Sequence, residues 1–345
     1  MVLAAVLLGI GAGVFIALRG KGTLSGPPPT TSAPPSTAAS PPATSPSSPA
    51  KSPTPTPTPV LPQSAEPLGD DVIVWPRMRK GNWDVALLDL ATGKQTRLTA
   101  GATVDWGPVI SKDRRTIMYT RITGDRPTTR VMAADGKGDR PLFDRPPEGC
   151  FRLSRPAAAP GGQLVVTCNT EDAPRTVRLL VITLEGKIVR QLDKGRIGDP
   201  SVPPDGRSVL YWRNAQGERE GGALYRIPLD GSGSRVQLTD GGNGEDADPV
   251  TSPDGRQLAF SRGTATSRVV MTAPFNGKAL TGEPHARTDR GNDQDPSWSP
   301  DGLRIAYKSG PDDDGDLYVL DLAGGKSRRV VADPEPDTVP AWTPR

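Results

Sequence analysis

The chain is poor in the residues from which most catalytic and metal centres are built. Its 345 residues include one histidine, His285, and two cysteines, Cys150 and Cys168. A zinc site needs about four ligands, and these three residues show no ligand spacing. Ser-His-Asp or Cys-His catalysis would have to run through His285. That residue lies in Glu283-Pro284-His285-Ala286-Arg287 without a nucleophile motif beside it, and G-x-S-x-G occurs nowhere in the chain. It reads as a surface or loop histidine. No Lys/Arg block stands out and the net charge is only +3, so the electrostatic footprint of a nucleic-acid binder is missing. No cysteine follows the N-terminal apolar run, which excludes a lipoprotein anchor.

What is present divides into regions of opposite character. Residues 1–18 carry no charge and are followed by Arg19 and Lys21. Eighteen apolar residues at ~1.5 Å rise span ~27 Å, enough to cross a hydrocarbon core. A cleavable signal peptide would want a basic leading region and an A-x-A-like site, and neither is found. The segment is therefore expected to be a retained single-pass anchor. Its only flanking positive charges lie on the C-terminal side, which conflicts with an outward-facing remainder. The expectation that resolves this is a natural polypeptide continuing upstream with basic residues. Ala5, Gly9, Gly13 and Ala17 form a small-xxx-small stripe of the kind that lets two membrane helices pair. The run Gly9-Ile10-Gly11-Ala12-Gly13 follows no strand and is not a nucleotide loop.

Residues 19–69 read as a disordered linker. Between 27 and 67 lie 15 of the chain's 39 prolines, and only Lys51 and Glu66 are charged there. Such a segment buries too little apolar surface to offset chain entropy. Its prolines favour an extended, semi-stiff stalk.

From residue 70 to 345 the sequence repeats itself. The clearest copies are Asp295-Pro-Ser-Trp-Ser-Pro-Asp-Gly302, Asp248-Pro-Val-Thr-Ser-Pro-Asp-Gly255 and Asp199-Pro-Ser-Val-Pro-Pro-Asp-Gly206. Each precedes a short apolar strand: Ile305-Ala-Tyr307, Leu258-Ala-Phe260, Val209-Leu-Tyr211. With the leading proline as marker, copies fall at 108, 156, 200, 249, 296 and 340, spaced by 48, 44, 49, 47 and 44 residues. That is the length of a four-stranded propeller blade. Ser-Pro-Asp-Gly supplies a tight hairpin turn. The domain starts at a second strand, Val72-Ile-Val-Trp75, and stops after a first strand at Pro340–Arg345. The two ends are expected to complete one blade, giving a closed ring of six.

The unit Asp-Pro-x-x-Ser-Pro-Asp-Gly-x-x-Ile-Ala-Tyr…Asp-Leu-Tyr-Val-Leu-Asp-Leu resembles the repeat of TolB-type propellers over residues 70–345. The resemblance implies an all-β, six-bladed propeller used for protein or ligand contact outside the cytoplasm. The α/β domain that precedes the propeller in TolB is replaced here by anchor and stalk, so its particular partner does not carry over. Propellers on such stalks also resemble the outer sensor portions of bacterial membrane receptor kinases, which is the first alternative.

Two constellations are candidate sites. Cys150 and Cys168 flank a hairpin near Gly161-Gly162 and are expected to form a disulfide, the ordinary state outside the cytoplasm. The other is acidic. One residue before the marker proline stand Asp199, Asp248 and Asp295; three residues before it stand Asp105, Asp246, Asp293 and Asp337. Repeat symmetry is expected to gather these carboxylates around one channel mouth, as a negative funnel for a basic protein segment, a small cationic ligand or a divalent cation. Each Asp before Pro could instead simply cap a turn. The sequence points to no cofactor and to a non-enzymatic module. A hydrolase or lyase using paired funnel carboxylates is the second alternative. Asp312-Asp313-Asp314-Gly315-Asp316 lacks the order of a calcium loop and reads as a solvated turn.

Overall fold

The computed structural model describes residues 60–345 except 171–175, 215–220, 242–243, 290, 312–313 and 332–334. The anchor expected at 1–18, its pairing stripe and the linker up to residue 59 lie outside the described residues. Among those described, no helix is long and apolar enough to cross a membrane.

The fold is all-β: a propeller-like ring of antiparallel sheets. In one sheet Val72–Arg79, Asn82–Asp89 and Gln95–Arg97 follow one another outward, and Ala341–Trp342 pairs with the inner side of the first. A second sheet holds Val104–Ile110, Thr116–Thr123, Arg126–Ala133 and Arg140–Pro141. A third holds Glu245–Thr251, Gln257–Thr264, Ser267–Pro274 and His285–Ala286; a fourth holds Gln294–Trp298, Arg304–Ser309, Asp316–Asp321 and Lys326–Arg329.

Here the architecture departs from six separate four-stranded blades. Among the described residues there are four such sheets and one of eight strands. The cause is Ile188–Ser201, a single 14-residue strand. Its first part, to Gly195, pairs with Val177–Thr183, and from Arg196 it pairs with Ser208–Asn214. No turn residue interrupts Asp193-Lys194-Gly195-Arg196-Ile197, and Gly195 at φ +143° absorbs the bend. The innermost strand on the other side of this sheet is split into Arg152–Leu153 and Ala157–Ala159, both on Gln163–Asn169.

Apolar packing ties the ring together, because alternate residues of each second strand face opposite neighbours. Ile73 and Trp75 pack with Ala306, Leu317 and Val319, whereas Val74 packs with Ile117, Tyr119 and Met132. Met118 then joins Leu164, Val166 and Leu180, while Val165, Leu179 and Val181 join Val209 and Tyr211. Leu210 and Trp212 pack with Leu258 and Phe260, and Ala259 with Ile305 and Tyr307. The last two return to the sheet whose Ala306 began the circuit.

The two ends of the described chain meet. Thr343 N donates to Val72 O (3.0 Å), Trp342 Nε1 to Asp70 O (2.7 Å) and Arg114 Nε to Pro344 O (2.7 Å). Arg304 lies over the Trp342 ring, 4.9 Å from its centroid. Residues 60–69, assigned to the linker by composition, are instead docked on the second sheet. Ser64 N and Leu68 N donate to Arg115 O and Arg114 O, both at 3.0 Å, and Leu61 and Leu68 pack on buried clusters. Their two packed leucines escape a reading based on proline content.

Deleting residues 338–345 removes the inner strand of the first sheet, and with it every contact just named for Trp342 and Thr343. The truncated protein is expected to lose its cooperative thermal transition in circular dichroism. A melt matching that of the full chain would show that closure by Ala341–Trp342 is dispensable.

Candidate functional site

The residue before the marker proline is a conformational landmark as well as a sequence one. Gly107, Asp199, Asp248, Asp295 and Val339 have φ of +58°, +50°, +55°, +54° and +41°. Only the equivalent Arg155 stays out of the left-handed region. Ladder registers shift across the same dipeptides: between Trp106 and Val109, Gly198 and Ser201, Ala247 and Val250, and Gln294 and Ser297. Proline has no N–H to give the ladder, so the innermost strand bulges there and its preceding side chain is re-aimed.

This re-aiming brings Asp199, Asp248 and Asp295 together from three successive repeats. Asp248 Oδ2 accepts from Ser261 Oγ at 2.8 Å and from the backbone N of Asp295 at 3.4 Å. Asp199 Oδ2 is buried without a hydrogen bond. Burial, with Asp248 and Asp295 beside it, drives the Asp199 carboxyl well above the usual carboxylate range. Asp295 is pushed up to about 7, by burial and then by Asp248, against the pull of Arg155, Lys308 and Arg268. Glu245 is also raised by burial, although its Oε1 accepts from Arg268 Nη2 at 2.7 Å.

Four charged neighbours were not anticipated: Arg155, Glu245, Arg268 and Lys308. With them the mouth is a mixed cluster rather than a purely negative funnel. Arg155 is detectable in the sequence, because in the repeat marked by Pro156 it occupies the position held elsewhere by Asp199, Asp248 and Asp295. Its side chain lies over Gly107, where a Cβ would meet it at 3.7 Å. Arg268 and Lys308 come from other strands, and no repeat pattern marks them.

Three members of the second acidic register are bonded away from this cluster. Asp105 is 1% exposed and receives Arg121 Nε and Nη2 at 2.7 and 2.8 Å; Asp246 is 0% exposed and receives the same two atoms of Arg262 at 2.7 and 2.8 Å. Asp337 accepts from Trp75 Nε1 at 2.6 Å, and Asp293 is buried. The expectation that both registers face the mouth is thus corrected for Asp105, Asp246 and Asp337. Three residues before the proline, the side chain precedes the bulge and points into the sheet, where Arg121 and Arg262 stand directly across the ladder.

Cys150 and Cys168 form a disulfide with Cα atoms 5.4 Å apart. Arg178 Nη2 approaches the two sulfurs at 3.5 and 3.2 Å. His285 is exposed on an outer strand, and Asp316 pairs with Arg329 at 2.5 Å. Among the described residues, no group of three or more His, Cys, Asp or Glu is arranged to hold a metal ion. A separate cavity of about 230 Å³ is lined by Arg77, Arg79, Asp84, Gln95 and Arg97, and no mouth residue borders it.

No family model matches the chain, and no curated protein matches it in sequence. Solved structures do match it in fold. TolB from Acinetobacter baumannii superposes with a TM-score of 0.65 at 19% identity, over 80% of this chain and 68% of that one. The nidogen/laminin complex contains a chain that aligns at 0.61 and 12% identity, over 78% of this chain and 97% of its own. An oligogalacturonate lyase from Vibrio parahaemolyticus aligns at 0.51 and 17%, over 76% and 79%. At these identities the likeness is one of fold.

Two outcomes follow from the geometry. Arg262→Ala leaves Asp246 buried and unpaired, and is expected to cost roughly 3 kcal/mol in a denaturant melt; a loss under 1 kcal/mol would mean the pair is easily solvated. Asp295, raised from 3.8 to about 7, binds its proton more tightly folded than unfolded. Its contribution is therefore full below pH ~4 and is lost as pH rises to 7. Asp295→Asn, which tolerates the left-handed backbone, should melt a few degrees higher than the parent at pH 8 and lose that advantage at pH 4. Equal melting at both pH values would place the Asp295 titration elsewhere.

Proposed function

We propose that this chain is a non-enzymatic recognition module held outside the cytoplasm, with the Asp199–Asp248–Asp295 mouth as its contact face. The single observation that carries this reading is the gathering of three carboxylates at positions whose left-handed backbone admits aspartate but does not require it. Gly107 meets the same backbone requirement without a charge. The carboxylates are therefore not needed for the bulge, and their mutual repulsion works against the folded state. Sites that trade stability for activity behave in this way.

The finer architecture belongs to the same proposal. Six sequence repeats and six interleaved apolar clusters support counting the eight-stranded sheet as two blades, for a six-bladed ring. The uncharged stretch 1–18 supports a single-pass membrane anchor, and the proline-rich segment after it supports a stalk. The disulfide supports an oxidising compartment. A protein partner is supported by the nidogen/laminin neighbour, a chain of this fold solved in complex with another protein. A sensor role within a longer receptor fits the same anchor and stalk.

A carboxylate-based lyase or hydrolase is the second reading. It is favoured by one observation, the near-neutral Asp295 between charged neighbours, and by the lyase among the fold neighbours.

The test replaces charge without altering backbone. The double variant Asp248→Asn/Asp295→Asn is expected to melt at pH 8 no lower than the parent. Photo-crosslinkers at Ser201 and Ser297, beside the mouth, should capture the partner in intact cells, and the double variant should cut the yield at least tenfold. Crosslinkers at Asp230 and Lys278, on outer hairpins, should capture far less. A double variant that melts several degrees lower and crosslinks as the parent does would make the aspartates structural and move the contact face elsewhere.

A further inference from the structure

The mouth contains polar groups that the protein leaves without partners. Among the described residues, the guanidinium of Arg155 makes no hydrogen bond and no ion pair within 4 Å. Arg268 is 3% exposed; its Nε donates to Thr264 O and its Nη2 to Glu245, but its Nη1 is buried with no partner. The side chains of Asp199 and Asp295 likewise accept no hydrogen bond. Of these, Arg268 Nη1 and Asp199 Oδ2 are buried, and buried polar atoms without a partner are rare in folded proteins and call for a missing water, ion or ligand.

These groups face one another. Arg268 reaches Asp248, Glu245 and Asp199 electrostatically, and Arg155 reaches Asp199 and Asp295. The cluster draws Arg155 from the segment before Ala157–Ala159 and Asp199 from Ile188–Ser201. Glu245 and Asp248 come from Glu245–Thr251, with Ser261 behind them on Gln257–Thr264. Arg268 comes from Ser267–Pro274, Asp295 from Gln294–Trp298 and Lys308 from Arg304–Ser309. A cation entering here meets three fixed cations. A carboxylate meets two guanidinium groups with donors to spare, in the fork geometry that suits it.

We infer that the mouth takes a carboxylate, which Arg155 and Arg268 Nη1 bind and to which the Asp199 and Asp295 carboxyls donate hydrogen bonds. This rests on the mouth being the contact face proposed above, and it replaces the cationic occupant expected from the aspartates alone. The proton balance is simple: the bound carboxylate stays ionised, and the two aspartates hold the protons that they donate. Binding therefore takes up a proton at Asp295, whose carboxyl lies near 7 when the mouth is empty. A cationic occupant would release one, so the two readings predict opposite pH dependence.

The experiment is calorimetric titration of the full chain with four blocked peptides. N-acetyl-trialanine carries a terminal carboxylate, and N-acetyl-Ala-Glu-Ala-amide carries a side-chain one. N-acetyl-trialanine amide carries neither, and N-acetyl-trilysine amide is cationic. At least one carboxylate peptide is expected to bind at least tenfold more tightly than the neutral amide, and which one does so identifies a chain terminus or an acidic side chain as the source. Its affinity should be about tenfold higher at pH 6 than at pH 8, as one required proton with a midpoint near 7 dictates. Arg155→Gln, a half-buried site without a structural partner, should lose tenfold or more with an unchanged melt. Arg268→Gln should also lose binding, and Arg155→Gln decides the case if that variant fails to fold.

Affinity that rises with pH, or neutral amide binding as well as the acids, would overturn the inference. So would the absence of carboxylate binding at millimolar peptide. If the trilysine peptide alone binds and Asp248→Asn/Asp295→Asn abolishes it, the contact face stands and only its occupant is reassigned. If no peptide binds and the crosslinks also fail, the contact face itself is lost.

Discussion

Burial on both faces of every second strand governs this ring. Val209 and Tyr211 turn to one neighbour while Leu210 and Trp212 turn to the other, and the pattern recurs at Ile73-Val74-Trp75, Leu164-Val165-Val166 and Ile305-Ala306-Tyr307. Such strands read as short continuous apolar runs rather than as an alternation. A one-residue slip would exchange two complete apolar clusters at once, so the register is strongly held. Irregularity is then tolerated only where this demand ends. The innermost strands have one edge with no further strand, and there the ladders shift.

The fold and the candidate site were legible to different depths for a related reason. Repeat length, Ser-Pro-Asp-Gly turns and apolar triplets are local signals, and each reports one strand or one hairpin. The propeller-like ring, its closure through Trp342 and the meeting of Asp199, Asp248 and Asp295 all followed from them. The continuous strand Ile188–Ser201 did not, because joining two sheets depends on the absence of a turn, and an absence between weak repeats is hard to see. Residues 60–69 were missed because docking here rests on backbone bonds to Arg114 and Arg115 and on two leucines, which composition averages out. Asp105 and Asp246 were placed at the mouth because register was counted along one strand. Their partners, Arg121 and Arg262, lie across the ladder at a separation of 16 residues, and only the pairing register reveals them.

Left-handed backbone before each marker proline shows how conformation and charge separate. Glycine, aspartate and even the β-branched Val339 occupy that position, so the bulge selects weakly among residues. Val339 carries real strain at φ +41°. It is held there by the closing strand that begins two residues later, and its side chain is buried. This backbone admits aspartate at 199, 248 and 295, and Gly107 and Val339 show that it does not require a carboxylate there.

Elsewhere the chain pairs its carboxylates thoroughly. Asp139 receives Arg121, both arms of Arg130 and the Tyr119 hydroxyl; Asp193 receives Tyr211 and Arg213. Lys and Arg number 42 against 39 Asp and Glu, so cations are not scarce. Within the mouth itself, Arg155 lies close enough to Asp199 and Asp295 to act on both electrostatically, yet bonds to neither. Arg268 Nη1 and Asp199 Oδ2, both buried without a partner, carry the larger cost. In the carboxylate site proposed above, these are the groups that an occupant would satisfy, and the stability they forgo would be recovered on binding, as in a site preorganised for its ligand.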